Sequence, residues 1–284
     1  METTSAPAVP NDFIWRKLHS LAGIGLVVYL FIHLFTNSQA ALYIGDDGKG
    51  FIHAVNAIHD IPYLQIVEIL LIALPILIHI AYGIHRLRLS KANSFATDGS
   101  TPSLPEYPRN KAYTWQRITS WFLIVGILAH VIHMRFVESP LAAAGAESGY
   151  VVRITNDPGL PSVAERLGVK LYNSHDSGSL SASEMRPLRE DEVIAVAPNF
   201  GTADLLVVRD TFKMPMMMVL YTILVLASTF HAFNGMWTFM ISWGVTLSQR
   251  AQRLMRYLTV SLMVLVSGFG LSAIWLTYWI NLKT

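Results

Sequence analysis

Residues 18–38, LHSLAGIGLVVYLFIHLFTNS, contain no Asp, Glu, Lys or Arg, and the charge-free stretch around them runs from Lys17 to Asp46. A second charge-free stretch separates Lys213 from Arg250. A helix needs about 20 apolar residues to cross the roughly 30 Å hydrocarbon core of a bilayer. Both stretches are long enough, and they predict a protein that spans a membrane.

The composition of the 284-residue chain agrees with this prediction. Apolar residues make up 52% of the chain and charged residues 14%, whereas soluble domains carry about 25% charged residues. The net charge of +2, without a stripe of Arg and Lys between aromatic residues, does not indicate nucleic-acid binding. The absence of cysteine excludes disulfides, iron–sulfur ligation and covalent haem attachment in this chain.

Five transmembrane helices are predicted, at about residues 18–38, 61–85, 114–135, 214–243 and 256–280. The predicted fold class is an all-α membrane protein, a bundle of five transmembrane helices with an extramembrane insert between the third and the fourth. Three regions follow: residues 1–138 with the first three helices, residues 139–212 as the insert, and residues 213–284 with the last two helices.

The basic residues of the short loops predict the orientation of the helices, because short loops rich in Lys and Arg stay in the cytoplasm. Most of them follow the second and the fourth predicted helix: Arg86, Arg88, Lys91, Arg109, Lys111, Arg250 and Arg253. The link between the first two helices has only Lys49, against Asp46, Asp47 and Asp60. We expect the N-terminus in the cytoplasm, and the insert and the C-terminus outside.

The insert has mixed charge and many Gly, Pro and Ser residues. Its runs VIAVAP (193–198) and LLVV (205–208) predict short strands and therefore a small β-containing cap. It contains no motif that indicates chemistry.

Four histidines lie well inside the predicted helices, one on each of the first four: His33, His79, His130 and His231. At 1.5 Å per residue, His130 and His33 lie about 24 and 22 Å above the cytoplasmic ends of their helices, and His79 and His231 about 26 Å below the outer ends. This arithmetic gives an outer pair, His33 with His130, and an inner pair, His79 with His231, about 10–15 Å apart in depth.

Two imidazoles on facing helices suit an iron porphyrin, which takes one nitrogen on each face of the ring. Zinc would need three or four ligands at one level. Three glycines leave room for a macrocycle: Gly83 and Gly235, each four residues after a paired histidine, and Gly126, four residues before His130. Small residues also mark ordinary helix contacts in membranes. The sequence predicts two b-type haems.

Other residues near these histidines have open roles. His133 is a rival of His130 on nearly the same face, and Pro75, four residues before His79, either aims that histidine or is a tolerated membrane proline. His19 lies near the cytoplasmic end of the first helix. His53 and His59 are expected at the surface of the link between the first two helices.

Four runs of sequence carry a resemblance to a known family. They are FIWRKLHSLAGIGLVVYLFIHLFTN (13–37), EILLIALPILIHIAYGIHR (68–86), WQRITSWFLIVGILAHVIHMR (115–135) and STFHAFNGMWTFMISWGVTLSQRAQR (228–253). They resemble the single-chain cytochrome b subunit of succinate:menaquinone oxidoreductases, a five-helix, two-haem class that also serves fumarate reductases. In that family one histidine on each of the first four helices ligates haem, and these match the four histidines above. The long insert departs from the compact members of the family.

The resemblance implies a membrane anchor of succinate dehydrogenase in a bacterial cytoplasmic membrane. A flavoprotein with covalent FAD and an iron–sulfur protein would bind its cytoplasmic face, and succinate oxidation would take place in another chain. Arg16, Arg109, Arg250 and Arg253 would dock these partners or are plain cytoplasmic charges. Electrons would pass through the inner and the outer haem to a quinone, menaquinone in this class, and fumarate reduction is the reverse direction.

The sequence leaves two alternative quinone sites undecided. Glu68 is the acidic residue inside the second helix, where a carboxylate can exchange protons with a quinone oxygen or can bond the outer loop. The rival site, at the cytoplasmic end, would bind a quinone or haem propionates through Arg16, His19, Ser20 and Arg117. A membrane transporter with a histidine proton relay is the alternative from another class.

Overall fold

Five helices long and apolar enough to cross a membrane are present in the computed structural model, which describes residues 10–89, 94, 98, 104, 106–143, 148–173 and 188–284. Within these residues the helices are Asn11–Ser38, Leu64–Leu89, Arg109–Val137, Pro215–Ser242 and Gln249–Asn281. The predicted fold class is confirmed. Several helices begin earlier than predicted, since residues such as Trp15 and Arg16 continue the helix beyond its charge-free part. Lys91 and parts of the insert lie outside the described residues.

Three of the five spans contain a π-helical turn. The first span is α1 (Asn11–Ser38), and a short helix, α2 (Lys49–His59), follows in the link. The second consists of α3 (Leu64–Glu68), π1 (Ile69–Ala73) and α4 (Leu74–Leu89), and the third of α5 (Pro108–Val131) and π2 (Ile132–Val137). The fourth is α8 (Pro215–Ser242), and the fifth consists of α9 (Gln249–Leu276) and π3 (Thr277–Asn281).

Pro75 is the second residue of α4, and α4 follows π1 directly. Proline has no backbone N–H, so it cannot bond the carbonyl four residues before it, and its ring crowds that carbonyl. A π turn is wider than an α turn and bonds residues five apart, as in the bond from Leu74 N to Ile69 O. The wider turn lies where the proline would otherwise crowd the helix.

In its described residues, the insert folds as a four-stranded antiparallel sheet with two helices. Its elements are β1 (Leu141–Ala142), β2 (Tyr150–Thr155), α6 (Leu160–Leu167), β3 (Lys170–Tyr172), β4 (Glu192–Ala197) and α7 (Phe200–Phe212). The strand order is β1-β2-β4-β3, and Val151, Ile194 and Val196 form a buried cluster. The prediction of a β-containing insert is confirmed.

The two strand predictions in the insert have opposite outcomes. VIAVAP lies mostly in β4 and is confirmed, whereas the prediction for LLVV was wrong because these residues lie in the middle of α7. Asn199 caps this helix, and its side chain accepts a hydrogen bond from Thr202 N at 2.9 Å. Almost every residue of α7 is buried, and a short continuous apolar run does not distinguish a buried helix from a buried strand.

Arg209 of α7 makes a buried ion pair that joins the insert to the end of the chain. Its side chain is 1% exposed; Nη1 and Nη2 donate to the two Asp157 oxygens at 2.7 and 2.9 Å, and Nε donates to Leu282 O at 2.7 Å. Lys213 Nζ donates to Asp157 Oδ2 at 3.1 Å. Burial raises the pKa of the Asp157 carboxyl, but the hydrogen bonds from Arg209 and Lys213 outweigh it and lower the pKa to about 2.

Asp157→Asn should lower the free energy of unfolding of the insert by about 3 kcal/mol, because the substitution leaves the Arg209 charge buried against a neutral amide. Hydrogen exchange of the α7 amides in a denaturant series measures the loss. Because the folded pKa of about 2 lies below the ordinary 3.8, the stabilisation by the charged carboxyl is complete above about pH 4 and is lost as the pH falls towards 2.

The control is Arg166→Gln, which breaks the more exposed pair with Asp47 (N–O distance 2.9 Å) and should cost under about 1 kcal/mol. Equal losses in the two variants would contradict the importance assigned to the buried pair.

The contacts divide the chain into two compact units, each of which includes parts of several helices. The first unit covers residues 1–30, 65–121 and 230–263, and the second covers residues 31–64, 122–229 and 264–284. Each unit contains one of the two histidine pairs.

Candidate functional site

In the first unit, His79 of α4 lies against His231 of α8. The centres of the two imidazole rings are 6.1 Å apart, and the ring planes meet at 76°. In the second unit, His33 of α1 lies against His130 of α5, with ring centres 5.9 Å apart and an angle of 71°. The structure thus brings together the same two pairs that the depth arithmetic indicated, and all four side chains are half-buried.

The separation within each pair suits one metal ion between two imidazoles. A metal–nitrogen bond of about 2.0 Å, plus roughly 1.1 Å from the nitrogen to the ring centre, places two opposed ligands about 6 Å apart from centre to centre. Among the described residues no group of three or more His, Asp or Glu side chains could hold a metal ion. The donor set in each unit is therefore a pair of imidazoles, as haem iron takes.

The hydrogen bonds of the first pair fix which ring nitrogen is available. His79 Nδ1 lies 3.1 Å from the backbone carbonyl of His19, and a carbonyl only accepts, so this nitrogen carries the proton and Nε2 carries the lone pair. His231 Nδ1 lies 3.3 Å from Thr119 Oγ1, and Gln116 Nε2 donates to the His231 carbonyl at 2.9 Å. Histidines that bind metals use this arrangement, in which one ring nitrogen is held by a partner and the other is free to coordinate.

In the second pair, Tyr221 of α8 holds His130. Its hydroxyl lies 3.2 Å from His130 Nδ1 and 3.3 Å from His133 Nδ1. A phenol has one proton to donate and lone pairs to accept, so Tyr221 can accept from one imidazole and donate to the other. Phe212 contacts the Tyr221 ring edge-on, with centres 5.2 Å apart. His130 therefore faces His33 on one side and Tyr221 on the other, and His133 is a second neighbour of the same hydroxyl.

The glycines near the histidines lie at contacts with other side chains. A Cβ atom added to Gly83 would lie 3.6 Å from His19 Cε1, and one added to Gly235 would lie 3.4 Å from Gln116 Nε2. At Gly126 the nearest atom is Leu224 Cδ1, at 2.8 Å. These contacts favour the interpretation of small residues at helix contacts. Gly23 instead lies against the imidazole of a paired histidine, because a Cβ atom added to it would lie 3.0 Å from His79 Cε1.

Of the four residues proposed for the cytoplasmic end, His19 lies closest to the first pair. Its ring stacks on that of His79 with centres 4.0 Å apart, and its Nδ1 lies 3.0 Å from the His79 carbonyl. Ser20 Oγ accepts a hydrogen bond from Trp243 Nε1 at 3.0 Å. Arg16 is exposed, with its guanidinium 5.8 Å from the centre of the Phe13 ring, and Arg117 is half-buried.

Glu68 is half-buried at the last position of α3, immediately before π1. Its carboxylate interacts electrostatically with the Tyr29 hydroxyl group. Single π turns inside α-helices are frequent at functional sites. Glu68 is thus an acidic residue within a span, next to an irregular turn and a phenol.

Several contacts of the site were missed by the sequence reasoning. Tyr221, Thr119 and Gln116 were not predicted, although a polar side chain within an apolar helix is a signal for a buried hydrogen bond. His59 was expected at the surface, and this was wrong: its ring stacks on Phe200 with centres 4.1 Å apart, and its Nε2 lies 3.0 Å from the Tyr150 hydroxyl. Those two aromatic residues belong to the insert, so the contact depends on a fold that the local sequence of α2 does not show.

Comparison with known proteins finds a relative that covers nearly the whole chain. The chain is similar to the succinate dehydrogenase cytochrome b558 subunit of Bacillus subtilis (strain 168), with 24% identity over 265 residues, 93% of this chain and 96% of the relative. No family model and no solved structure matches the chain. The resemblance to a cytochrome b subunit of succinate dehydrogenase is thereby confirmed.

Proposed function

We propose that this chain, a relative of the cytochrome b subunit of succinate dehydrogenase, is the membrane anchor of a succinate:quinone oxidoreductase and binds two b-type haems. The observation that carries the proposal is the pair of imidazoles found in each unit, 6.1 and 5.9 Å apart between ring centres. The hydrogen bonds at the Nδ1 atoms of His79, His130 and His231 support it, because they leave the Nε2 atoms for coordination.

His79 and His231 would hold one haem and His33 and His130 the other. Bound there, the haems supply one-electron transfer between an iron–sulfur partner protein and a quinone, menaquinone in the class that the chain resembles. The neighbouring residues would keep the imidazoles of His79, His130 and His231 in one tautomer and one orientation. His19 does so through its carbonyl and by stacking on His79.

The proposed arrangement in the membrane places the basic ends of the helices in the cytoplasm, where a flavoprotein and an iron–sulfur protein would bind. Succinate oxidation then belongs to the flavoprotein. An electron that moves across the bilayer against or with the membrane potential changes its free energy by up to about 2.3 kcal/mol per 100 mV. With the inside of the membrane negative, a quinone site on the outer side would let the potential assist succinate oxidation. A quinone site on the cytoplasmic side would leave both directions without this contribution.

Glu68 is our proposed proton donor and acceptor for the quinone. Its side chain can release a proton to a quinone oxygen as the carboxylic acid, or take one from it as the carboxylate, within hydrogen-bond distance. Tyr29 is the phenol with which it interacts. At the rival site, His19 and Ser20 already have hydrogen bonds with His79 and Trp243, so a quinone there would have to displace them.

Loss of one haem at a time is the first test. The purified protein should give a dithionite-reduced minus oxidised spectrum of low-spin haem b with two haems per chain. His79→Ala should remove one haem and His130→Ala the other, because each remaining imidazole has no partner across the ring. Haem quantified per chain measures both losses.

His53→Ala is the control, since His53 is exposed in α2 and should keep both haems. A wild-type protein without haem absorption would contradict the proposal and would favour the transporter. Loss of haem in His133→Ala but not in His130→Ala would assign the ligand to the rival residue.

Tyr221→Phe should keep both haems but raise the midpoint potential of the one bound at His130 by about 40 mV. An imidazole that donates from Nδ1 is a more electron-rich ligand, and the loss of one hydrogen bond of about 1 kcal/mol corresponds to that shift for one electron. Redox titration followed optically measures it. The haem at His79 is the internal control, and an equal shift of both haems would refute the assignment.

Glu68→Gln should abolish most quinone reduction while the haem content and both potentials stay unchanged, because the amide cannot carry the proton. Glu68→Asp, which retains an ionisable group, should restore part of the rate. Turnover of the whole complex with a soluble menaquinone analogue is the measurement. If Ser20→Ala in the complex lowers turnover instead and Glu68→Gln does not, the quinone binds at the other site.

A further inference from the structure

In the first unit, helices α5, α8 and α9 enclose a groove that plays no part in the proposed function. It consists of two adjoining cavities of about 170 and 220 Å³, which share Ala112, Asn234 and Trp237 as walls. Arg256 lines the first cavity and Arg109 the second. We call this the two-arginine groove.

Arg256 lies inside the fifth span, seven residues after α9 begins at Gln249, which is about 10 Å along the helix. Its side chain is half-buried. Throughout the part of the chain that the structure describes, the Arg256 guanidinium has no hydrogen bond or ion pair, and it lies 5.8 Å from the centre of the Tyr257 ring. A cation within a span is costly unless it meets an anion or water, so its position indicates a ligand.

Arg109 supplies a second cation at the same groove. Its guanidinium lies 5.8 Å from the centre of the Trp237 ring, and in the described residues it likewise has no ion pair. Trp237 Nε1 donates to Gln252 O at 3.2 Å, and Asn234 Nδ2 donates to Gln116 Oε1 at 2.8 Å. These bonds fix the wall between the two arginines, so the groove is held open by side chains with partners of their own.

The groove is cationic at one end and apolar at the other. Phe230 and Met263 line its first cavity, and each lies seven residues, or about 10 Å, further into its helix than Trp237 or Arg256. Tryptophan and arginine are typical of the membrane interface, while phenylalanine and methionine suit the hydrocarbon. A free anion would leave the apolar end uncovered, and a soluble partner protein would not enter the bilayer to cover it. A phospholipid matches both ends.

We propose that the two-arginine groove binds an anionic phospholipid. Its phosphate accepts hydrogen bonds from Arg256 and Arg109, and one acyl chain lies along Phe230 and Met263. Basic pockets between transmembrane helices on the cytoplasmic side recognise lipid headgroups in this way, and a guanidinium bonds a phosphate through two parallel N–H groups. The groove contains none of the paired histidines. Lipid binding there can therefore be tested separately from the proposed function.

The test is native mass spectrometry of the full chain with its haems, delipidated in detergent and titrated with phosphatidylglycerol. The wild type should retain one lipid tightly, and each of Arg109→Gln and Arg256→Gln should weaken binding by about fivefold, as expected for one basic residue near a headgroup. The single variants Arg250→Gln and Arg253→Gln are the matched controls. Each removes one positive charge from an exposed position of α9 outside the groove and should bind like the wild type.

Two further ligands separate the sources of the anion. Phosphatidylcholine should bind more weakly than phosphatidylglycerol, and inorganic phosphate at millimolar concentration should not displace the bound lipid.

Met263→Trp, which fills the apolar end and keeps both arginines, should also weaken lipid binding. Arg256→Lys keeps the charge, so it should retain part of the affinity even if Arg256→Gln is poorly folded.

Three results would overturn the proposal. The first is equal weakening of lipid binding by the groove variants and the control variants, which would show general charge attraction. The second is displacement by inorganic phosphate, which would show a free-anion site. The third is a wild type that binds both lipids equally, which would show that the arginines do not read the headgroup.

Discussion

A polar side chain in the hydrocarbon core of a bilayer must find its partner in the protein, because no water is present to bond it. The four histidines of α1, α4, α5 and α8 are subject to this constraint, and the partners of His79, His130 and His231 each lie on another helix. His79 bonds a backbone carbonyl, His231 lies next to a threonine hydroxyl, and His130 lies next to a phenol. The arrangement of the helices around the two pairs follows from the need to satisfy these groups.

The two pairs meet this constraint by different means, and the difference has chemical consequences. A backbone carbonyl accepts only, so the tautomer of His79 is fixed by geometry alone. A phenol both donates and accepts, so Tyr221 joins His130 to His133 in one chain of hydrogen bonds. A ligand held by a carbonyl and one held by a phenol donate electrons to a metal to different extents. Under the proposed function, the chain thus has the means to give its two haem sites unequal electron affinity with identical ligands.

The sequence predicted what depends on periodicity and charge, and missed what depends on neighbours distant in the chain. The charge-free stretch after Lys17 and the positions of His33 and His130 within their helices follow from counting residues, because a helix converts number into height. The stacking of His19 on His79 does not, since it requires α1 and α4 to be adjacent at one level. The LLVV run shows the same limit of sequence reasoning. Its apolar residues are buried, as those of a central strand would be, but they lie in a helix that Asn199 caps.

Burial also distinguishes the two kinds of charge in this protein. Arg209 lies in the insert with 1% exposure, and it is fully compensated by both oxygens of Asp157 and by a carbonyl. Arg256 is half-buried within a span, and the described residues offer it no anion. Since desolvating an arginine costs several kcal/mol wherever it occurs, we expect Arg256 to be compensated by an anion other than the described residues. A bilayer supplies one abundant anion at that depth, the phosphate of its own lipids.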